Sequence, residues 1–240
     1  MKVAYKSDKG KKRKNNEDNV YVDIERGIFL LADGMGGHQA GEVASEVAIQ
    51  EAYSHIKEKV NKVRSVKGIA RLLVEALFKA HDAIKEKAKT DFDLMGMGTT
   101  LVETIIKGNK AYISHTGDSR VYLLQSSIMK QITNDQTMGN YLVSYNIMKP
   151  EDVPPSKWHT LTQAVGLSES LVPELNQIEL KKGDSILLCT DGLTDMLTDK
   201  EIEKIILKNK DDVETTVNVL IKEANKKGGV DNITVILVKI

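Results

Sequence analysis

From Thr99 to Thr133 the chain alternates short apolar-rich runs with brief polar turns, and this rhythm restricts the fold more than any other feature. The runs are Thr100–Ile106, Ala111–His115, Arg120–Leu124 and Met129–Ile132. The turns fall at Lys107-Gly108-Asn109, Gly117-Asp118 and Gln125-Ser126-Ser127. A parallel crossover needs roughly a dozen residues or more, so strands joined this tightly must run antiparallel. The same reading gives strands at Val20–Ile24 and Ile28–Ala32, joined by Glu25-Arg26-Gly27, and later at Pro173–Leu180, Ser185–Thr190 and Ile233–Val238. Helical spacing recurs in two stretches, Val43, Val47, Ala48, Ala52, Ile56 and Val60, then Ile69, Leu73, Leu77, Ala80, Ile84 and Ala88. A further helix is expected over 211–226. Strands outnumber helices, which predicts antiparallel sheets with helices packed outside them rather than a βαβ alternation.

Between Asn134 and about Glu169 the periodicity breaks down. This stretch holds three of the four prolines (Pro150, Pro154, Pro155) and the single tryptophan, Trp158. It is expected to be a mobile surface excursion that serves as a lid.

The 240 residues suit one domain or two small ones, and 34 basic against 34 acidic residues leave no net field to draw nucleic acid or an anionic membrane. The one strongly cationic run is Lys9 to Lys14. No stretch approaches the roughly 20 apolar residues that span a bilayer, and the start of the sequence lacks the apolar run of a signal peptide. A lone cysteine, Cys189, excludes an internal disulfide framework and fits a reducing compartment. A cytoplasmic monomer is the expectation.

Chemistry enters through four aspartates, each where an apolar run meets a turn. Asp33 follows Ile28–Ala32, Asp118 follows Ile113–Gly117, Asp191 follows Ile186–Thr190, and Asp231 precedes Ile233–Val238. Taken singly, Asp-Gly is an ordinary turn dipeptide. Four such carboxylates on one short chain, two in near-identical frames, point instead to a centre for a hard cation such as Mg²⁺ or Mn²⁺. The glycines after Asp33 let backbone approach closely, and the Gly34 carbonyl is itself a possible ligand. Near the N-terminus, Arg13 stands just ahead of Glu17 and Asp18. A guanidinium fixed beside a metal cluster clamps a phosphate dianion through paired hydrogen bonds.

Other chemistries fail on their own residues. The loop Asp33 to Gly41 has Glu42-Val43 where a phosphate-binding P-loop needs Lys-Ser/Thr, and Gln39 where the dinucleotide fingerprint needs its third glycine. Cys189 has Asp195, not arginine, six residues on, and its apolar flank marks a buried structural thiol. No Gly-x-Ser-x-Gly elbow occurs. His55, His81 and His115 fall within regular elements and read as structural or surface residues, and His159 has no assignable role. His38 shares a loop with Asp33 and is the one histidine given a chemical role.

These pieces, in this order, resemble the protein phosphatase 2C (PPM) family in its compact bacterial branch. The matching segments are Arg13-x-x-x-Glu17-Asp18, Ala32-Asp33-Gly34-Met35-Gly36-Gly37-His38, Gly98-Thr99-Thr100-Leu101, Gly117-Asp118-Ser119-Arg120, Cys189-Thr190-Asp191-Gly192-x-x-Asp195 and Gly229-x-Asp231-Asn232-x-Thr234-Val235. They run nearly end to end, so one phosphatase domain over residues 1–240 is expected. The resemblance implies an α+β fold, an α-β-β-α sandwich of two antiparallel sheets flanked by helix pairs, with 134–169 as its flap. It implies hydrolysis of phosphoserine and phosphothreonine in proteins, dependent on two Mn²⁺ or Mg²⁺ ions. By the same resemblance Asp33 bridges both metals, Asp191 and Asp231 complete one site, and the Gly34 carbonyl contributes to the other. Asp118 with Asp191 holds a labile third ion, Arg13 binds the phosphate, and Glu17 and Asp18 act through water or behind the ligands. Phosphorylated proteins and a cognate Ser/Thr kinase are the implied partners.

Two adjacent cations deprotonate a water for in-line attack and offset the developing charge, so no covalent intermediate is needed. A general acid must still protonate the leaving oxygen. Met35 stands where the eukaryotic branch has histidine, which moves that role to His38. Within the flap, Asp135-Gln136-Thr137 replaces the usual Asp-His-Ser, and Pro154 to His159 replaces a His-Pro pair. These departures bear on substrate preference more than on catalysis. The competing readings are a silent binding relative and a phosphoesterase for small phosphates.

Overall fold

The computed structural model describes residues 1–36, 40–209 and 211–240. In chain order the strands are β1 (Lys2–Asp8), β2 (Asp18–Asp23), β3 (Ile28–Met35), β4 (Gly98–Thr99), β5 (Leu101–Lys107) and β6 (Lys110–Thr116). They continue with β7 (Arg120–Gln125), β8 (Ile128–Gln131), β9 (Glu174–Glu179), β10 (Ser185–Cys189) and β11 (Ile233–Lys239). The helices are α1 (Ala40–Lys59), α2 (Val66–Ala88), α3 (Met138–Ser144), α4 (Asp191–Thr194), α5 (Asp199–Lys208) and α6 (Val213–Lys226).

Two sheets form, both antiparallel throughout. One has the order β1-β11-β10-β7-β8, the other β2-β3-β5-β6-β9 with β4 paired to the end of β3. The predicted meander is β5 to β8, but it crosses between sheets at Gly117-Asp118, so its two hairpins belong to different layers.

The period-2 pattern of β5 explains the layering. Leu101 and Ile105 pack toward α1 and α2, whereas Val102 and Ile106 pack toward the other sheet. Three apolar layers result. One lies between α1, α2 and the β3-containing sheet, one between the sheets, and one between the second sheet and α5 and α6. The α-β-β-α sandwich expected from the sequence is thus the observed architecture. On α1 the buried stripe is largely alanine (Ala44, Ala48, Ala52), which brings that helix close to its sheet. On α2 the stripe is Ile69, Leu73, Leu77 and Ile84, and Ser65 caps its start by accepting from the Gly68 amide at 3.1 Å.

The sequence reading missed five of these elements: β1, the two-residue β4, α3, the single-turn α4 and α5. β1 is a sheet edge rich in polar residues, and α5 is a short helix closed by a Thr198–Glu201 capping box. The stretch read as an irregular excursion contains α3, and Trp158 lies directly against Gly139 of that helix. Among the described residues no helix is long and apolar enough to cross a membrane.

Candidate active site

Asp33 was expected at a turn after a strand ending at Ala32. β3 instead continues through Asp33 and Gly34 to Met35. The Asp33 amide donates to Thr100 Oγ1 at 3.0 Å, and its carbonyl accepts from the Thr100 amide at 2.8 Å. Asp33 is thereby held by the segment that joins β4 to β5. Gly34 is required for close approach: a Cβ there would run into the carbonyls of Gly41 and Glu17. Gly192, after Asp191, is constrained alike by the Asn232 carbonyl. Both glycines of the Asp-Gly pairs therefore serve packing around the carboxylates rather than a turn.

Asp191 opens α4 directly after β10, Asp231 directly precedes β11, and Asp118 lies in the connection from β6 to β7. Asp33, Gly34, Asp118, Asp191 and Asp231 all line one cleft of about 700 Å³, together with Arg13 and Glu17. Asp33 comes from one sheet and Asp191 and Asp231 from the other, so the cleft sits across the edge of the sandwich. His38, with Gly37 and Gln39, lies outside the described residues.

Arg13 Nη2 donates to Asp231 Oδ2 at 2.6 Å, and its Nη1 stands 3.9 Å from Glu17 Oε2. The arginine loop is tied down by Asn232. Its Oδ1 accepts from the Glu17 amide at 2.8 Å, and its Nδ2 donates to the carbonyls of Lys9 and Asn15, both at 2.9 Å. Asp18 lies buried beneath the cleft, where Oδ2 accepts from Thr234 at 2.6 Å and Thr190 at 3.0 Å. Among the described residues its Oδ1 is buried without a hydrogen-bond partner, as is Asp191 Oδ1.

This concentration of carboxylates is electrostatically unfavourable without a counter-charge. Burial, reinforced by Asp18 and Asp191, pushes Asp33 well above the usual carboxylate range. Burial pushes up Asp18, Asp118 and Asp191 too; Asp191 bears on Asp118, and Asp195 on Asp191. Orphaned buried oxygens and mutually destabilised carboxylates are what a divalent cation relieves, and an all-oxygen donor set fits Mg²⁺ or Mn²⁺.

Sequence reasoning left out two residues at the cleft. His159 Nδ1 stands 3.6 Å from Asp195 Oδ2, and both line the cleft. Among the described residues, His159, Asp191 and Asp195 offer donor atoms that all lie within 4.8 Å of one another. Asp195 was legible inside its motif, whereas His159 reaches the cleft only through the fold of 150–159. The remaining histidines are structural where described: His81 Nδ1 accepts from the Gly166 amide at 2.9 Å, and fully buried His115 lies 3.4 Å from Glu174. Cys189 is fully buried, its thiol pushed up to about 12 by that burial, which rules it out as a nucleophile.

Known proteins resemble this chain in sequence and fold. The protein phosphatase 2C family model matches residues 9–232. A serine/threonine phosphatase, stp, of Listeria innocua is 36% identical over 244 residues, spanning 100% of this chain and 96% of its own. The crystal structure of the Mycobacterium tuberculosis serine/threonine phosphatase PstP/Ppp superposes with a TM-score of 0.89 at 36% identity, covering 100% of this chain and 98% of that one. A structure of the PstP catalytic domain in complex with two manganese ions gives 0.85 at 35% identity, covering 99% and 97%.

Proposed function

Since this chain belongs to the protein phosphatase 2C family and is a protein-serine/threonine phosphatase, we propose that it hydrolyses phosphoserine and phosphothreonine in proteins at the Asp33–Asp191–Asp231 cleft. Two divalent cations, Mn²⁺ or Mg²⁺, serve the reaction, and no covalent enzyme intermediate forms. The observation that carries this reading is the convergence of half-buried carboxylates from both sheets on one open cleft with an arginine at its rim.

Asp33, Asp191, Asp231 and the Gly34 carbonyl would hold the two cations, with Asp33 serving both. Asp118 with Asp191 holds a third, labile ion. Bound there, the cations supply Lewis acidity, readying a water at neutral pH and offsetting negative charge on the phosphoryl group. The residues of the chain do the rest. Arg13, half exposed at the cleft and donating to Asp231 Oδ2, would bind and orient the substrate phosphate through its guanidinium. Glu17 and Asp18 act behind the ligands, Asp18 fixed by two threonine hydroxyls. His38 protonates the departing serine or threonine oxygen. His159, on the cleft wall, is the second imidazole to test for that role. Residues 1–240 act as one catalytic unit, on substrates that a cognate serine/threonine kinase phosphorylates.

Side-by-side turnover of a phosphothreonine peptide and a nucleotide, each with Mn²⁺ and then with chelator, tests the reading. Peptide hydrolysis that requires the cation supports it. Preference for the nucleotide, or undiminished turnover in chelator, rejects it.

A further inference from the structure

A second cavity, of about 840 Å³, adjoins the cleft. Arg13, Glu17 and Gly36 line both, so the two share the wall that carries the phosphate-binding arginine. On another side the cleft is walled by 159–168, with His159, Leu161, Ala164 and Leu167 among its lining. A polypeptide whose phosphorylated residue enters the cleft therefore has an exit along this groove.

The groove has walls of opposite charge. Lys14 follows Arg13 on one side, and Asp91 and Asp93 stand on the other, in the short segment after α2. Asp91 Oδ1 accepts from the Asp93 amide at 3.0 Å, which fixes the turn. Neither Asp91 nor Asp93 pairs with a cationic side chain, and Lys14 pairs with no anionic one, among the described residues. Val43 and Leu94 supply apolar surface in the groove beside these two carboxylates. Unpaired carboxylates beside apolar side chains, in a groove next to a phosphate site, are complementary to a cationic side chain with an apolar stem.

We propose that this groove seats the substrate chain beyond its phosphorylated residue, and that Asp91 and Asp93 select segments carrying lysine or arginine there. The inference rests on the phosphatase reading above. Exposed ion pairs are individually weak, so the preference should be about three- to tenfold in kcat/KM.

The test uses matched phosphothreonine peptides that differ only in a flanking Arg, Ala or Glu, with p-nitrophenyl phosphate as a substrate that cannot reach the groove. The wild-type enzyme should prefer the Arg peptide, and the preference should shrink as salt rises. D91N/D93N keeps side-chain shape and the cap; it should level the three peptides, and Asp93→Lys should favour the Glu peptide. Turnover of p-nitrophenyl phosphate should stay unchanged in both variants, which also reports that they fold. No preference in the wild type, or the same preference in the variants, overturns the proposal. Loss of Mn²⁺-dependent turnover of every substrate by the wild type would instead overturn the phosphatase reading.

Discussion

In the proposed mechanism Asp231 couples metal and substrate. Its Oδ2 holds Arg13 at 2.6 Å while its Oδ1 accepts from the Asn232 amide at 2.7 Å. On the proposed assignment, replacing Asp191 or Asp231 with alanine removes a ligand rather than an outer partner, so turnover should fall by more than the ~100-fold that outer partners cost. Calorimetric Mn²⁺ titration of either variant should show weakened or lost binding; near-normal activity would reject the assignment. Asn232→Ala tests the support instead. It removes three side-chain hydrogen bonds to the arginine loop, at about 1 kcal/mol each. A loss of about 2–3 kcal/mol in denaturant unfolding is expected, with KM rising more than kcat falls because the phosphate clamp loosens. An unchanged KM would detach Arg13 from substrate binding. The principal carboxylates were legible because each abuts a strand with a recognisable apolar pattern. Roles for Asn232, Thr190 and Thr234 were not, although all stand inside quoted motifs. Their partners are distant in sequence, as with Thr234 and Asp18, 216 positions apart, and no local pattern encodes that meeting.

At the scale of elements, β5 carries a conflict that the pleat makes plain. Glu103 points the same way as Leu101 and Ile105, toward the α1–α2 layer, and is fully buried. Among the described residues neither carboxyl oxygen finds a hydrogen-bond partner. Burial raises its pKa well above the usual range, with its cross-strand neighbour Ser114 opposing only weakly. The sign follows from linkage: the fold keeps a proton that the unfolded chain releases above pH ~4.3, so the penalty grows as pH rises. Glu103→Leu should therefore stabilise the protein by about 1–3 kcal/mol near pH 8, the cost of an unsatisfied buried polar group. The gain should be smaller at pH 4.5, where only the neutral buried carboxyl is relieved, in paired denaturant melts; destabilisation at pH 8 would reveal a partner for Glu103. The same pleat made most strands legible, since turns and alternation are local. β1 escaped because an edge strand shows only a weak apolar pattern. α3 escaped because Trp158, far along the chain, covers the helix at Gly139.

Across the whole molecule the two sheets meet at the cleft through like charges, so a bound cation should join the layers as well as serve chemistry. Asp18, Asp118 and Asp191 are pushed up to about 7, 8 and 6, burial being the main cause. Each therefore favours the metal-free fold while protonated, and that stability is lost as pH rises from about 4 toward 8. Carboxylates shifted the other way do not blur the window. Glu75 and Glu174, lowered to about 2, are ionised in both states above pH 5 and add no slope there. Metal-free protein should accordingly melt at progressively lower temperature between pH 5.5 and 8. Mn²⁺ binds the ionised carboxylates of the folded state, and at about 100 times its dissociation constant it stabilises by ~2.7 kcal/mol. The increment in melting temperature should therefore widen with pH. Glu103, remote from the cleft, contributes a residual slope that Mn²⁺ cannot remove; in Glu103→Leu with Mn²⁺ the profile should flatten. A melting temperature indifferent to Mn²⁺ at pH 8 would mean that the carboxylates from the two sheets do not share a cation, and the proposed mechanism would fall with it.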